Sequence, residues 1–161
     1  MLKYRPNVGI VVFNKFGKVL MCARADQKDM QWQFPQGGID DKEDLLEAAL
    51  RELKEETNLT SVKFVAKTQK PLRYDFPPHV LAKQKQKGYS FVGQEQHWFL
   101  FYFYGDDTEI DFLTHPQEIE FKAFEWVDIT EAPLRIVDFK KDVYSEVAQT
   151  FAPFIKSKIE S

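Results

Sequence analysis

The sequence predicts an α/β fold of the α+β kind, with a mixed β-sheet sandwiched between α-helices, in a single domain over residues 1–161. Three observations lead there. Short β-branched and aromatic runs recur along the chain, one strongly patterned helix lies between Asp44 and Asn58, and a second helical pattern closes the sequence. With 43% hydrophobic and 15% aromatic residues, a chain of this length can bury a real core.

In order, residues 8–13 (VGIVVF) and 19–23 (VLMCA) are apolar strand runs, and Asn14-Lys15-Phe16-Gly17 between them is turn material, so the pair reads as a hairpin. Residues 31–34 alternate as a short strand that leads into a glycine turn, Phe34-Pro35-Gln36-Gly37-Gly38, where backbone carbonyls can approach a ligand closely. The next segment is the first helix. Leu46, Ala49, Leu50 and Leu53 repeat at i, i+3, i+4 and i+7 and should pack on the core. Asp44 with Glu47 reads as a capping box, and Asn58 stands where a left-handed residue ends a helix.

Residues 62–66 are a fourth strand. The segment 71–94 holds Pro71, Pro77, Pro78, Gly88 and Gly93, and reads as a long ordered loop. Residues 98–104 form the most aromatic run, which suits a central strand, and 121–127 (FKAFEWV) form another. A last helix begins near Phe139 or Lys140, with Val143, Val147, Phe151 and Ile155 along one side. Pro153 should kink it or end it.

The first helix also carries chemistry. Glu52, Glu55 and Glu56, at i, i+3 and i+4, project from one face and raise each other's pKa unless a cation sits between them. A hard, oxygen-loving cation such as Mg²⁺ resolves the repulsion. A phosphate substrate would otherwise be repelled by the same carboxylates. Bridging metals would neutralise both and lower the pKa of a bound water, which becomes the nucleophile.

Net charge is −3, which argues against a general nucleic-acid coat. The average hides a polarity. Residues 40–56 hold eight acids and three bases, whereas residues 62–92 hold seven bases and Asp75 alone. The single cysteine, Cys22, excludes an internal disulfide and sits in a strand as a core residue. No signal peptide or bilayer-spanning run is visible, so a cytoplasmic monomer without membrane contact is the default expectation. His79, His97 and His115 lack zinc-site spacing.

The spacing of Gly37, Glu43, Arg51-Glu52-Leu53, Glu55-Glu56 and Asn58-Leu59 resembles the Nudix box, the signature of hydrolases acting on nucleoside diphosphates linked to another moiety. Asn58 replaces the usual glycine, and asparagine tolerates positive φ. Flanking residues resemble one branch of that superfamily: Tyr4-Arg5-Pro6-Asn7-Val8-Gly9, the stretch from Trp32 to Gly38, Gly93-Gln94 with Gln96 and Trp98-Phe99, and Phe139-Lys140 with Asp142-Val143-Tyr144. The branch is the bacterial RNA pyrophosphohydrolases, also described as dinucleoside polyphosphate hydrolases. The chain departs from it at Glu95 and His97, where basic residues are expected.

The resemblance implies that Glu52, Glu55 and Glu56 bind Mg²⁺, or Mn²⁺ or another divalent cation, while Glu43 and Arg51 hold loop and helix in register. Glu120 matches the position of a further carboxylate ligand from outside the helix, with Glu118 as its competitor. Arg5, Arg24 and the backbone at Gly37 and Gly38 would meet phosphate or the first nucleotide, and Phe139 with Lys140 would form a base platform beside a phosphate contact. The expected substrate is 5′-triphosphorylated RNA, from which pyrophosphate is removed. A dinucleoside polyphosphate is the alternative, with sugar-nucleotide or oxidised-nucleotide hydrolysis a distant third. Arg73, Lys83, Lys85 and Lys87 offer a basic path for an RNA chain, against which Glu95 counts. A binding module without catalysis is the alternative of another class. It would have no reason to keep a self-repelling carboxylate cluster.

Overall fold

The computed structural model describes residues 3–161. Eight strands form one mixed sheet. β1 (Tyr4–Phe13) and β7 (Gly93–Phe103) run parallel through its middle, in register from Tyr4 opposite Gly93 to Phe13 opposite Tyr102. β2 (Val19–Arg24) returns from β1 through a turn in which Asn14 Oδ1 accepts the N–H groups of Phe16 and Lys18. β2 then pairs with β3 (Trp32–Gln33) and with β8 (Phe121–Val127). β7 is shared by β5 (Val62–Lys67) at its C-terminal half and β6 (Leu72–Asp75) at its N-terminal end.

Period-two alternation sends the central strands' side chains to two cores. Val11, Phe13, Trp98 and Leu100 meet Val143, Val147, Phe151 and Ile155 of α4 (Lys141–Glu160) on one face. Val8, Ile10, Val12, Phe99 and Phe101 meet Ala48, Ala49 and Leu53 of α1 (Leu45–Thr57) on the other. The sheet is therefore sandwiched between the two helices, and burying each such aliphatic side chain contributes about 1.5–3 kcal/mol.

Several expectations need correction. The buried stripe of α1 is Leu45, Ala48, Ala49 and Leu53, one position round from the expected one, and Leu46 and Leu50 are 37% and 40% exposed. The rotation has a consequence: Glu56 is buried rather than displayed on an open acidic face. The helix is capped by Asp44, whose carboxylate accepts the Glu47 N–H at 2.8 Å, and closes at Asn58 with φ 68°.

The glycine segment is itself a strand, β4 (Gln36–Gly38), paired with residues 7–9 of β1. Segment 71–94 is not a loop throughout. Besides β6 it contains α2 (Pro78–Gln86), because proline at the first position of a helix gives up an N–H that has no partner there anyway. Val80 and Leu81 fasten α2 to the core. Pro153 neither ends nor interrupts α4, which continues to Glu160. Its exposed side faces solvent while Phe151 and Ile155 stay buried on either side of it.

Candidate active site

The C-terminal edge of β4 and the acidic side of α1 border a cavity of about 420 Å³. Gly37 brings them together. A Cβ at that position would run into the Glu52 carboxylate, so any larger residue would displace that carboxylate from its place beside the strand. Gly38 is not constrained in this way, since its Cβ would sit 3.7 Å from Arg5 Nη2.

Arg51 organises the acids. Its guanidinium donates from Nε and Nη2 to the two oxygens of Glu43 at 2.7 and 2.9 Å, and Nη2 also reaches the Gly38 carbonyl at 2.9 Å. Nη1 donates to Glu52 at 3.0 Å and Glu55 at 3.2 Å. Glu43 in turn accepts the Asp40 N–H at 3.0 Å, which closes the loop onto the helix. The forked contact with Arg51 holds the Glu43 carboxyl below its ordinary pKa.

Glu56 lies deeper. It is 9% exposed, and its Oε2 has no hydrogen-bond partner. Burial first, then the charges of Glu52 and Glu120, push its pKa well up. Burial also raises Glu52, against the pull of Arg51. Glu120 is held at the cavity by its own carbonyl, which accepts the Ala25 N–H at 2.8 Å where β2 bulges beside Phe121. Glu118, Arg5, Arg24 and Lys140 line the same space.

Among the described residues no three His, Cys, Asp or Glu side chains form a ready-made metal cage. The chemistry of the donors nevertheless suits a hard divalent cation. The acceptors are carboxylate oxygens, and a buried Glu56 oxygen lacks a partner in an environment that penalises its charge. Glu52, Glu55, Glu56, Glu118 and Glu120 are the carboxylates that border the cavity.

The model of the NUDIX domain matches residues 3–147. The chain belongs to the NUDIX family. This Nudix chain is 45% identical over 155 residues to the RNA pyrophosphohydrolase of Caulobacter vibrioides, covering 96% of this chain and 89% of the relative. It is 43% identical over 159 residues to the RNA pyrophosphohydrolase of Wolbachia sp. subsp. Brugia malayi, covering 98% and 95%. Its fold resembles that of the E. coli dihydroneopterin triphosphate pyrophosphohydrolase, with a TM-score of 0.68, 19% identity and coverage of 93% of this chain and 99% of the other.

In the Nudix chain a second cavity, about 540 Å³, opens beside the first. Arg24, Gln33, Gln36, Gln94 and Lys140 border both. Phe139 stands in the second cavity only. Its ring lies 5.6 Å from that of Tyr74, and Lys140 Nζ hangs 5.5 Å over Tyr74. Burial, then the nearby Arg24 charge, push the Lys140 pKa down to about 8. Arg24 is held by Asp26 at 2.6 Å.

The basic path expected from the lysine-rich segment is partly occupied. Arg73 pairs with Glu95 at 3.2 Å and lies over the Tyr4 ring, whereas Lys83 and Lys87 of the α2 region face the second cavity. Sequence reasoning missed Asn7, Gln33, Gln94 and His115 as lining residues of the first cavity. Neutral amides carry no charge pattern, and only their strand register, Asn7 opposite Gln96 and Arg5 opposite Gln94, brings them there.

Proposed function

We propose that this protein is a metal-dependent RNA pyrophosphohydrolase that removes pyrophosphate from the 5′-triphosphate end of RNA and leaves a 5′-monophosphate. The observation that carries this reading is the junction of the two cavities. A carboxylate pocket suited to cations and phosphate opens directly into a groove with an aromatic face and several cations, where a nucleoside of the same chain can lie. The names of the relatives support the same substrate.

Mg²⁺, or Mn²⁺ in its place, supplies charge neutralisation and activates water when bound. Glu52, Glu55 and Glu56 hold it, with Glu120 as a further carboxylate from outside the helix. Arg51 and Glu43 fix the positions of these acids. Arg5, Arg24 and Lys140 grip phosphate oxygens, the backbone at Gly37 and Gly38 closes on them, and Phe139 stacks on a base. The substrate gives the enzyme a cytoplasmic place.

A dinucleoside polyphosphate is the second reading. The Arg73–Glu95 pair favours it, because it removes a cation from the path of a longer RNA. The deciding measurement compares kcat/KM for a 5′-triphosphorylated RNA with unpaired leading nucleotides and for diadenosine tetraphosphate in Mg²⁺. Higher kcat/KM and pyrophosphate release with the RNA are expected. Preference for the dinucleotide at every salt concentration overturns the RNA assignment.

A further inference from the structure

Gln36 and Gln94 stand in the wall shared by the two cavities, and a third glutamine joins them from behind. Gln96 is fully buried in β7, and its Nε2 donates to Gln36 Oε1 at 3.1 Å and to Gln94 Oε1 at 3.4 Å. Gln94 Oε1 also accepts the Tyr74 hydroxyl at 2.6 Å and Asn7 Nδ2 at 2.8 Å. At one end of this chain the Tyr74 ring meets Phe139 in the groove. At the other end Gln36 is followed directly by Gly37, which lies against the Glu52 carboxylate.

The hydrogen bonds in this cluster are poorly shared. With the amides in one orientation three donors converge on Gln94 Oε1 while Asn7 Oδ1 and Gln96 Oε1 lack a donor, and with the Asn7, Gln94 and Gln96 amides turned over Gln94 Nε2 can donate to both oxygens instead, so the cluster has two hydrogen-bond arrangements. A buried polar network that is only partly satisfied is costly, and it gains by any rearrangement that redistributes its donors. A nucleotide that displaces the Tyr74 ring carries its hydroxyl with it, and the hydrogen bonds through Gln94 and Gln96 pass that shift to Gln36. A local element with two arrangements is what coupling between neighbouring sites requires.

We infer that Tyr74, Gln94 and Gln96 are positioning residues, which couple occupancy of the aromatic groove by a nucleotide to the placement of Gln36 and hence of the catalytic carboxylates. The inference rests on the reading of the protein as an RNA pyrophosphohydrolase and adds a reason for it to prefer substrates that fill the groove. None of the three needs to touch the scissile bond.

The test uses two substrates, a 5′-triphosphorylated trinucleotide that reaches the groove and ATP, which ends at the first nucleoside. Tyr74→Phe keeps the ring and removes the hydroxyl, and Gln96→Met keeps the volume and removes the amide. Each variant should lower kcat for the trinucleotide about tenfold while its KM, and both constants for ATP, change less than about twofold. Phe139→Ala, a binding change, should instead raise KM for the trinucleotide. A readout without turnover is the side-chain amide NMR signal of Gln36 on titration with a 5′-monophosphorylated trinucleotide in EDTA. It should move in the wild type and stay still in Tyr74→Phe.

Equal losses of kcat on both substrates, or a rise in KM alone, would make the network merely structural and overturn the coupling. So would a Gln36 signal that moves equally in both proteins. If the wild type hydrolysed no triphosphorylated RNA but still showed the Tyr74-dependent Gln36 shift, the substrate reading would fall and the coupling would stand.

Discussion

The two cavities share a wall yet are built on opposite principles. The first is lined by Glu52, Glu55, Glu56, Glu118 and Glu120 against Arg5, Arg24 and Lys140. The second contains one acid, Asp26, already bonded to Arg24, together with Lys83, Lys87, Lys140 and the rings of Trp32, Tyr74, Phe76 and Phe139. The acid side accumulates negative charge, and the groove sets cations and flat apolar surface directly beside it. A site for a charged chain with a base attached is made by setting these two environments next to each other, each unfavourable for the other's ligand.

The largest effect should come from removing the acids. Glu52→Gln, Glu55→Gln and Glu56→Gln are each expected to lower kcat about a thousandfold, or about 4 kcal/mol of transition-state stabilisation. Their stabilities should differ. Glu56→Gln relieves a buried carboxylate with an unpartnered oxygen and should raise Tm most, whereas Glu55, on the open side, should move it little. Near-wild-type turnover in all three variants would dissolve the contrast between the cavities.

Next comes the cation between them. Lys140 has a folded-state pKa of about 8 against an ordinary 10.5. Its charged form is disfavoured by folding, so stability is lowest below pH 8 and rises as pH climbs through the window from about 8 to 10.5. The full effect is on the order of 3 kcal/mol. Lys140→Met should therefore raise Tm at pH 7, and the gain should vanish above about pH 10.5. Calorimetry across that range reads it, and a gain that persisted at high pH would mean packing rather than charge. The same variant should bind a phosphate-bearing ligand less well, since the anion is what makes the buried charge useful.

The smallest effect concerns the far rim. Lys83→Ser and Lys87→Ser should each flatten the dependence of RNA affinity on salt by roughly one released counterion, about 0.7 in the log–log slope for a single strand. Lys85→Ser should not, because Lys85 does not border the groove. Equal slopes for all three would return α2 to the status of a solvated helix.

The same contrast explains what could be read in advance. The acid cavity was legible because its parts lie within one turn and one helix, and carboxylates at i, i+3 and i+4 converge by helical geometry alone. Glu43 and Arg51 were legible as a spaced pair whose bonds now appear at 2.7 and 2.9 Å. The strand runs likewise showed themselves by composition. The groove was only half visible. Phe139 and Lys140 stood out through resemblance, but Tyr74 and α2 lay in a segment read as a loop, because its prolines were taken as breakers when Pro78 starts a helix. The burial of Glu56 was missed for a related reason. Leu46 and Leu50 look like core residues in isolation, and only the sheet's contact with Ala48 and Ala49 turns the helix so that Glu56 points inward.

Phe34, just before β4, donates its N–H to the hydroxyl of Tyr144 at 2.9 Å, and the two rings stack at 4.9 Å with Trp98 edge-on to both. The strand that lies on Glu52 is thus moored to a residue 110 positions later in the chain. On the ribosome, everything from the glycine strand to the acidic helix is made well before that mooring exists. A nascent chain stalled short of Tyr144 carries every carboxylate of the pocket but not this mooring, so its glycine strand is held by the pairing with β1 alone.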